Sequence, residues 1–197
     1  MSKLIVFENV SLDGVIQDPT GDEGFNAVDW RDDLTDADRE AWNKLILDDA
    51  LGADALLLGR GGYEFFAARY PGRTNALADQ MNGLPKYVVS STLTDPKWHN
   101  TTVLAGDPLT EVERLKRTVD GEIRVYASAR LLSLLLAHDL VDELRLAIFP
   151  VLMGAGNRVF ARSESGKPLR PKLLRLAETR TVGENLLQLT HRRAAAR

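Results

Sequence analysis

The pattern that most constrains this chain is an alternation of short apolar runs with longer amphipathic segments. Short runs rich in leucine and β-branched side chains predict strands, and amphipathic segments with helical spacing predict helices. Ala55–Leu58 is apolar throughout, as expected of a strand that is covered on both faces. The predicted strands are residues 4–10, 55–58, 86–90, 101–104, 123–126 and 144–149.

Capping signals mark the starts of the intervening helices. Thr35, with Asp38 three residues later, forms a capping box, which satisfies backbone N–H groups of a first helical turn. Ser128 is expected to cap a later helix with its hydroxyl. The predicted helices start at residues 36, 63, 108 and 131.

The last part of the chain changes character. Two runs, at 173–182 and 185–190, flank Gly183-Glu184, which predicts an antiparallel hairpin. Strands that alternate with helices form parallel sheets with helices on both faces. The expected architecture is therefore α/β, with a mostly parallel central sheet, helices on both faces and a C-terminal antiparallel hairpin, in a single domain over 1–197.

Composition excludes several functional classes. The 197 residues contain no cysteine, which excludes disulfides, thiolate metal sites and cysteine nucleophiles. The balance of 25 basic and 28 acidic residues gives no basic footprint for nucleic acid. The three histidines are scattered, so no metal site is expected. The apolar run near the start is too short for a signal peptide core or a membrane span, so we expect a cytoplasmic protein with no membrane partner.

Two strand-to-helix turns carry residues suited to anions. In an open α/β sheet, ligands bind outside the carboxyl ends of the strands. Leu58-Gly59-Arg60-Gly61-Gly62 combines glycines that admit a close ligand with a guanidinium suited to phosphate oxygens. Tyr126-Ala127-Ser128-Ala129-Arg130 places small residues at a second helix N-terminus, where unpaired N–H groups attract phosphate. Each turn can also be a tight connection without a ligand, but the two together raise the hypothesis of a dinucleotide-sized polyanion.

Other catalytic signatures are missing from the sequence. Neither turn matches G-x-G-x-x-G or the P-loop pattern, so nucleoside-triphosphate hydrolysis has no support. No G-x-S-x-G elbow nominates a serine nucleophile. The tryptophans are expected to be packing residues, with Trp30 kept open as a ligand contact because it ends a loop rich in Gly and Asp.

Four groups of segments follow one another in a distinctive order. They are Ser11-Leu12-Asp13-Gly14-Val15-Ile16; Leu56-Leu57-Leu58-Gly59-Arg60 with Tyr63-Glu64; Lys86-Tyr87-Val88-Val89-Ser90-Ser91-Thr92-Leu93; and Leu140-Val141-Asp142-Glu143-Leu144 with Phe149-Pro150-Val151-Leu152-Met153-Gly154-Ala155-Gly156 and Phe160. In this order and spacing the chain resembles the dihydrofolate reductase-like superfamily, in particular the reductase domain of the bifunctional riboflavin-biosynthesis deaminase-reductase. The resemblance runs from residue 4 to the terminal hairpin.

The resemblance implies an NADPH-binding reductase that stands alone, without a deaminase domain. The Gly-Arg turn and the Ser90-Ser91 strand end would hold the adenosine side and its 2′-phosphate, the turn at 127–130 would hold the pyrophosphate, and residues 15–17 would shield the nicotinamide. The implied cofactor-binding residues are Val15, Ile16, Gln17, Gly59, Arg60, Gly61, Gly62, Ser90, Ser91, Ala127, Ser128, Ala129, Arg130 and Leu131. The implied substrate-binding residues are Asn9, Trp30 and Asp33.

Both turns depart from the family pattern. Gly61 and Gly62 stand where the family has a basic residue and a threonine, so one hydroxyl ligand to phosphate is missing. Ala127 and Ala129 stand at positions where the family has glycine. A methyl group there crowds the pyrophosphate or disfavours a positive φ, so NADPH affinity is expected to be the property most affected.

Several functional hypotheses remain open. The leading one is an NADPH-dependent reductase of a small heterocyclic substrate, resembling 5-amino-6-(5-phosphoribosylamino)uracil reductase. The alternatives are a non-catalytic or degraded nucleotide- or pterin-binding module of the same fold and, more weakly, dihydrofolate reductase. Water can supply the proton, and the nearby carboxyl candidates are Asp13, Asp29, Asp32 and Asp33. The resemblance also implies a homodimer, with an edge strand near 144–151 as the expected contact.

Overall fold

The computed structural model describes residues 1–25, 28–160 and 171–194, which contain one eight-stranded mixed sheet. The strands are β1 (Lys3–Ser11), β2 (Ala55–Gly59), β3 (Lys86–Val89), β4 (Thr101–Leu104), β5 (Glu122–Val125), β6 (Glu143–Phe149), β7 (Leu174–Val182) and β8 (Leu186–Arg193). The helices are α1 (Asp36–Leu51), α2 (Arg60–Ala67), α3 (Ala76–Gly83), α4 (Pro108–Thr118) and α5 (Ala129–Ala137). The strand order is β4-β3-β2-β5-β1-β6-β8-β7.

The first strand lies inside the sheet. β1 pairs in parallel with β5 on one side and with β6 on the other. β8 then pairs antiparallel with β6, and β7 pairs antiparallel with β8. The predicted α/β architecture, with a mostly parallel sheet and a C-terminal antiparallel hairpin, is confirmed.

The structure corrects three expectations about single elements. The predicted dimer contact near 144–151 assumes an edge strand, but β6 is hydrogen-bonded on both sides and is therefore not an edge. α3 has no counterpart among the predicted helices. α2 begins at Arg60 rather than at Tyr63, so the two glycines that follow Arg60 belong to its first turn.

Helices cover both faces of the sheet. On one face, Val112 and Leu115 of α4 and the leucines of α5 pack against alternate residues of β1. On the other face, α1 packs through Leu45, and α2 and α3 pack through Tyr63 and Met81. None of the helices in the described ranges combines the length and the apolar character that a bilayer span requires. This layering leaves the carboxyl ends of the parallel strands open for a ligand.

The start of α1 is fixed to the C-terminal hairpin. The predicted capping box is present, with Thr35 and Asp38 each donating a backbone N–H to the other's side chain at 3.2 Å. Asp38 is fully buried and also accepts the N–H groups of Glu184 at 2.6 Å and Asn185 at 2.9 Å. Burial raises the pKa of Asp38, but its hydrogen bonds outweigh that effect and hold the pKa well below its usual range. The cap therefore joins the first helix to the last strands.

A buried row of ion pairs ties α1 to the sheet. Arg124, which is 1% exposed, donates to the Asp49 carboxylate at 3.0 Å. Arg145 pairs with the other oxygen of Asp49 at 2.5 Å and with Glu143 at 2.6 Å. The Tyr126 hydroxyl donates to Asp49 at 2.6 Å. Because a buried charge is costly without its partner, each member of this ion-pair row depends on the next.

Candidate active site

A cleft of about 1830 Å³ opens at the carboxyl ends of the parallel strands β1, β2, β3 and β5. Small-molecule sites usually enclose roughly 300–1,000 Å³. This cleft is therefore large enough for a dinucleotide together with a second, smaller ligand. Its walls come from the loop after β1, from α1, α2 and α5, and from the segment after β3.

Ser128 joins the two predicted anion-binding turns. Its hydroxyl accepts the N–H of Gly59 at 3.0 Å and donates to the carbonyl of Tyr126 at 2.8 Å. It makes no capping bond to α5, so the predicted capping role of this hydroxyl is wrong although Ser128 occupies the N-cap position. The hydroxyl instead holds the N-termini of α2 and α5 side by side at the cleft.

The two glycines of the α2 turn differ in their surroundings. A Cβ at Gly62 would lie 2.7 Å from the carbonyl oxygen of Ala127 and 2.9 Å from the hydroxyl of Ser128. A Cβ at Gly61 would meet nothing within 4 Å. Gly62 therefore permits the close approach of the two turns, and Gly61 borders open space at the cleft.

Ala127 adopts the left-handed backbone conformation that the family's glycine would adopt more easily. Its φ is +44°, a region that residues with a Cβ rarely occupy. The turn is thus built with the expected geometry in spite of the alanine. Ala129 is the first residue of α5 and needs no unusual φ there.

Arg60 and the segment after β3 form the outer end of the cleft. The Arg60 guanidinium donates to Glu64 at 2.7 Å and to the Thr92 hydroxyl at 2.5 Å. The Ser90 hydroxyl accepts the N–H groups of Thr92 and Leu93 at 3.2 Å and 3.1 Å. This end presents the Arg60 guanidinium, paired with Glu64, beside the hydroxyl groups of Ser90 and Thr92, and a guanidinium and hydroxyls are groups that bind a phosphate monoester.

Aromatic side chains and one amide also line the cleft. The Trp42 indole donates to Asn9 Oδ1 at 3.3 Å. The ring of Tyr126 lies edge-on to Phe66 at 6.3 Å and to Phe7 at 6.0 Å between centroids. Burial, together with the charge and hydrogen bond of the nearby Asp49 carboxylate, raises the Tyr126 pKa well above its ordinary value. These rings and the Asn9 amide give the cleft an apolar surface with a polar contact, which suits a planar heterocycle.

Most of the predicted site residues line the cleft. Those that do are Asn9, Ile16, Gln17, Asp29, Gly59, Arg60, Gly61, Gly62, Ser90, Ser91, Ala127, Ser128, Ala129, Arg130 and Leu131. Val15 and Trp30 are buried and do not line it. Trp30 packs on Phe149 at 5.8 Å between ring centroids, and within the described ranges its indole N–H has no hydrogen-bond partner.

The carboxyl candidates for proton donation are spread apart. Asp13 lies outside the cleft lining and accepts the Ser11 hydroxyl and the N–H groups of Met153 and Gly154. These hydrogen bonds, the one from Ser11 first, lower the Asp13 pKa to about 2. Asp13 is therefore ionised at neutral pH and holds two loops together.

The other candidates follow one another along the loop before α1. Asp29 lines the cleft, and its hydrogen-bonded pairing with Arg31 lowers its pKa. Asp32 and Asp33 are exposed and lie outside the lining. Of the four carboxyl groups, Asp29 is the one that the structure brings to the cleft.

Sequence reasoning missed Glu8, a buried carboxyl that lines the cleft from β1. Its Oε1 accepts the N–H of Ser128 at 3.3 Å. The signal in the sequence was a charged residue in β1 whose neighbours are apolar apart from the amide of Asn9. A charged side chain at such a position is either exposed or held by other polar groups, often at a functional site.

An acidic group on the loop after β1 was also not predicted from the sequence. Asp18, Asp22 and Glu23 bring carboxylate oxygens within 4.8 Å of one another. Arg69 pairs with Asp22 at 2.8 Å, and Asp18 accepts the N–H groups of Glu23 and Phe25. Two of the three carboxylates are therefore already engaged by the protein itself.

Comparisons with known proteins agree with this arrangement. The chain is 25% identical to the uncharacterized protein YyaP of Bacillus subtilis (strain 168), over 96% of this chain and 94% of YyaP. A putative riboflavin biosynthesis protein from Shewanella sp. PV-4 superposes with a TM-score of 0.70 at 20% identity, covering 98% of this chain and 99% of that one. A diaminohydroxyphosphoribosylaminopyrimidine deaminase/5-amino-6-(5-phosphoribosylamino)uracil reductase from Thermotoga maritima superposes with a TM-score of 0.63 at 16% identity, covering 98% of this chain and 57% of that one.

The family assignment follows from the sequence as a whole. The family model described as the RibD C-terminal domain matches residues 2–188. The resemblance inferred from the ordered segments is thereby confirmed. The chain belongs to the RibD C-terminal domain family and has the fold of a riboflavin-pathway reductase domain.

Proposed function

We propose that this protein is an NADPH-dependent reductase of a small heterocyclic compound. The observation that carries the proposal is the cleft at the strand ends, where Ser128 holds the N-termini of α2 and α5 side by side. Two adjacent helix N-termini offer backbone N–H groups to a polyanion. The aromatic side chains of the same cleft offer a surface for a flat ring.

The residues present fit a dinucleotide at most positions. The proposed 2′-phosphate contacts are Arg60 and the hydroxyl groups of the segment after β3. The proposed pyrophosphate contacts are the first-turn N–H groups of α5. Gly61, which borders open space, leaves the backbone of the α2 turn accessible. The misfit is at Glu8, whose carboxyl already accepts the N–H of Ser128.

NADPH would supply a hydride, and the protein would supply position and a dry surface. Ile16 and Gln17 line the cleft from the loop after β1, and Gln17 Oε1 accepts the N–H of Asn157 at 2.9 Å. This contact holds the loop beside the predicted nicotinamide site. Asn9, with its side chain fixed by Trp42, is the proposed polar contact to substrate.

The proton that accompanies the hydride has water or Asp29 as its proposed source. Asp29 lines the cleft, but its pairing with Arg31 favours the ionised form at neutral pH. The structure therefore favours water over this carboxyl. Asp13 and Asp33 lie outside the lining, so they are weaker proposals as donors, and Asp33 and Trp30 are weaker proposals as substrate contacts.

Dihydrofolate reduction is a weaker proposal on the same geometry. That reaction calls for a carboxylate facing the pterin ring, and the residues of α1 that line the cleft are uncharged. They are Trp42, Asn43, Ile46 and Leu47. A turnover assay with dihydrofolate, run beside a ribosylaminopyrimidine substrate, separates the two reactions.

A binding module without turnover is the second candidate function. Two observations favour it: Ala127 holds a strained φ of +44°, and Glu8 occupies an N–H group at the proposed pyrophosphate site. Both would weaken dinucleotide binding, because the Ala127 methyl group would crowd the pyrophosphate and Glu8 in its ionised form would compete for the N–H group. The Ala127→Gly variant relieves the first of these, and a large gain in NADPH affinity in that variant would mark the natural site as degraded.

Calorimetric titration with NADPH and NADH in parallel tests the proposed function. We expect NADPH to bind at least tenfold more tightly, because only NADPH carries the phosphate that Arg60 can contact. Arg60→Ala should weaken NADPH binding about tenfold and leave NADH unchanged, since one charge-assisted contact is lost. Arg114→Ala, an exposed ion-pair partner on α4 outside the cleft, is the matched control. Folded protein that binds neither dinucleotide would refute the reductase.

A homodimer and a cytoplasmic location remain part of the proposal by family analogy. Edge-to-edge pairing through β6 is not proposed, because β6 is hydrogen-bonded on both sides within the sheet. Sedimentation velocity over a range of concentrations tests the dimer, and a concentration-independent monomer would exclude it.

A further inference from the structure

Glu8 lies at the floor of the cleft, inside the sheet. Its strand is paired on both sides, and Glu8 stands opposite Leu146 of β6. The residue is 5% exposed. Burial raises its pKa to about 8, and the N–H groups of Ser128 and Ala127 oppose that rise only in part. In the ligand-free protein the carboxyl is therefore mostly neutral at pH 7 and titrates in the mildly alkaline range.

The group that holds Glu8 is the same group that would hold a ligand's phosphate. Glu8 Oε1 accepts the Ser128 N–H. This N–H is one of the donors at the N-terminus of α5 that have no acceptor within the helix itself. The Ser128 hydroxyl cannot replace the carboxyl as an acceptor, because it is committed to Gly59 and Tyr126. An anion that approaches this N-terminus meets the Glu8 carboxyl directly.

The surroundings of Glu8 contain few other charges. Leu131 and Leu135 of α5 and Leu146 of β6 provide an apolar environment on its face of the sheet. Charged groups elsewhere in the cleft wall come from the α2 and α5 turns, from the segment after α2, from the end of α5 and from the loop after β1. They are Arg60, Arg69, Arg73, Arg130, His138, Asp18, Asp22, Glu23, Asp29 and Arg31. Glu8 is thus the acidic side chain that contacts the α5 N-terminus in the described part of the chain.

We propose that Glu8 contacts the ligand's anionic group and selects for it through its own protonation, so that a pyrophosphate binds at the α5 N-terminus only with Glu8 in its neutral form. A neutral carboxyl donates its O–H to a phosphate oxygen, whereas a carboxylate repels that oxygen and competes for the same N–H groups. When Glu8 is ionised beforehand, binding takes up one proton from solvent. The inference deepens the proposed function and rests on it.

The test is calorimetric titration of NADPH into the whole protein at about pH 7 and about pH 9, in buffers of different ionisation enthalpy. The dependence of the heat on the buffer counts the protons taken up. We expect little uptake at the lower pH, uptake approaching one proton at the higher pH, and a loss of affinity of about tenfold per pH unit above the Glu8 pKa. This measurement needs no variant.

Variants identify the responsible carboxyl. Glu8→Gln keeps the shape and a donor N–H₂ but cannot ionise, so we expect it to bind NADPH without proton uptake and with equal affinity at both pH values. Glu23→Gln is the matched control, because Glu23 also lines the cleft and also has a raised pKa, caused chiefly by burial. It should keep the proton uptake of the native protein. NADH, which has the pyrophosphate but no 2′-phosphate, should show the same uptake and so excludes titration of that phosphate.

The outcomes separate the two proposals. Binding of NADPH without proton uptake, or a pH dependence that Glu8→Gln retains, overturns the role of Glu8 and leaves the reductase intact. Uptake that Glu23→Gln abolishes also overturns it. Absence of NADPH binding to folded native protein and to Glu8→Gln at both pH values overturns the proposed function together with the inference.

Discussion

A pair of alanine substitutions in one helical turn tests how the cleft is assembled. Gly61 and Gly62 are neighbours in the first turn of α2, and both line the cleft. Their Cβ positions differ sharply: the one at Gly62 falls 2.7 Å from the Ala127 carbonyl oxygen, whereas the one at Gly61 meets nothing within 4 Å. The same chemical change therefore has opposite expected effects at adjacent positions.

The magnitudes follow from those contacts. In Gly61→Ala the methyl group meets no clash and reduces the entropy of the unfolded chain, which stabilises by up to about 1 kcal/mol. In Gly62→Ala a methyl group overlaps a backbone oxygen, which cannot move alone because it belongs to the turn bound by Ser128. Overpacking of this kind costs about 1–3 kcal/mol. The difference between the two variants should therefore be about 1–4 kcal/mol.

Urea unfolding monitored by circular dichroism measures both variants against the native protein. Gly62→Ala should also weaken NADPH binding, because it forces apart the two helix N-termini at the cleft. Gly61→Ala leaves that spacing unchanged. Equal stability of the two variants, or a Gly62→Ala protein as stable as native with unaltered NADPH binding, would refute the close approach of the two turns.

Three further predictions concern buried carboxyl groups. The folded-state pKa of Glu8, about 8 against an ordinary value of 4.5, means that the folded protein holds a proton more tightly, so stability falls as pH rises between those values. The unfolding free energies of Glu8→Gln and native protein, measured by urea unfolding, should diverge by at most about 1.4 kcal/mol per pH unit in that window, and parallel curves would contradict the assignment. Asp49→Asn should cost about 3–5 kcal/mol by stranding a buried guanidinium, whereas Asp48→Asn, on the exposed side of α1, should cost at most about 1 kcal/mol. Asp38→Ala should lower the thermal midpoint. It should also remove the loss of stability at acid pH that protonation of Asp38, with its depressed pKa, produces in the native protein. Asp36→Ala, at an exposed position, should do neither.

Local signals in the sequence were sufficient for most elements. The alternation of apolar runs marks the strands of the parallel sheet, and the capping box at Thr35 marks the start of α1 within one residue. α3 was not predicted, because its pattern of apolar residues is short: only Ala78 and Met81 of this helix are buried. The internal position of β6 was also not predicted, because it depends on the C-terminal hairpin, whose strand β8 pairs with β6 on the side away from β1.

The site was predictable where a motif carries its own geometry. The turns at Gly59 and Ala127 follow strands whose carboxyl ends meet at one edge, so their convergence could be expected. The bond from Gly59 N–H to Ser128 Oγ spans 69 positions and could not be inferred from local preference. Asp29 and Asp33 are close in sequence but differ in placement, because an irregular loop sets which side chain meets the cleft.

The position of β1 has a consequence for how the chain acquires its fold during synthesis. Leu4, Ile5 and Val6 are completely buried, yet their neighbours in the sheet, β5 and β6, begin only at Glu122 and Glu143. At about 5–20 residues per second, β1 waits roughly 7 to 27 seconds on the ribosome for its last partner. The emerging chain therefore presents an apolar, aggregation-prone segment throughout that interval. Chaperones that shield short apolar segments would find a binding site in β1.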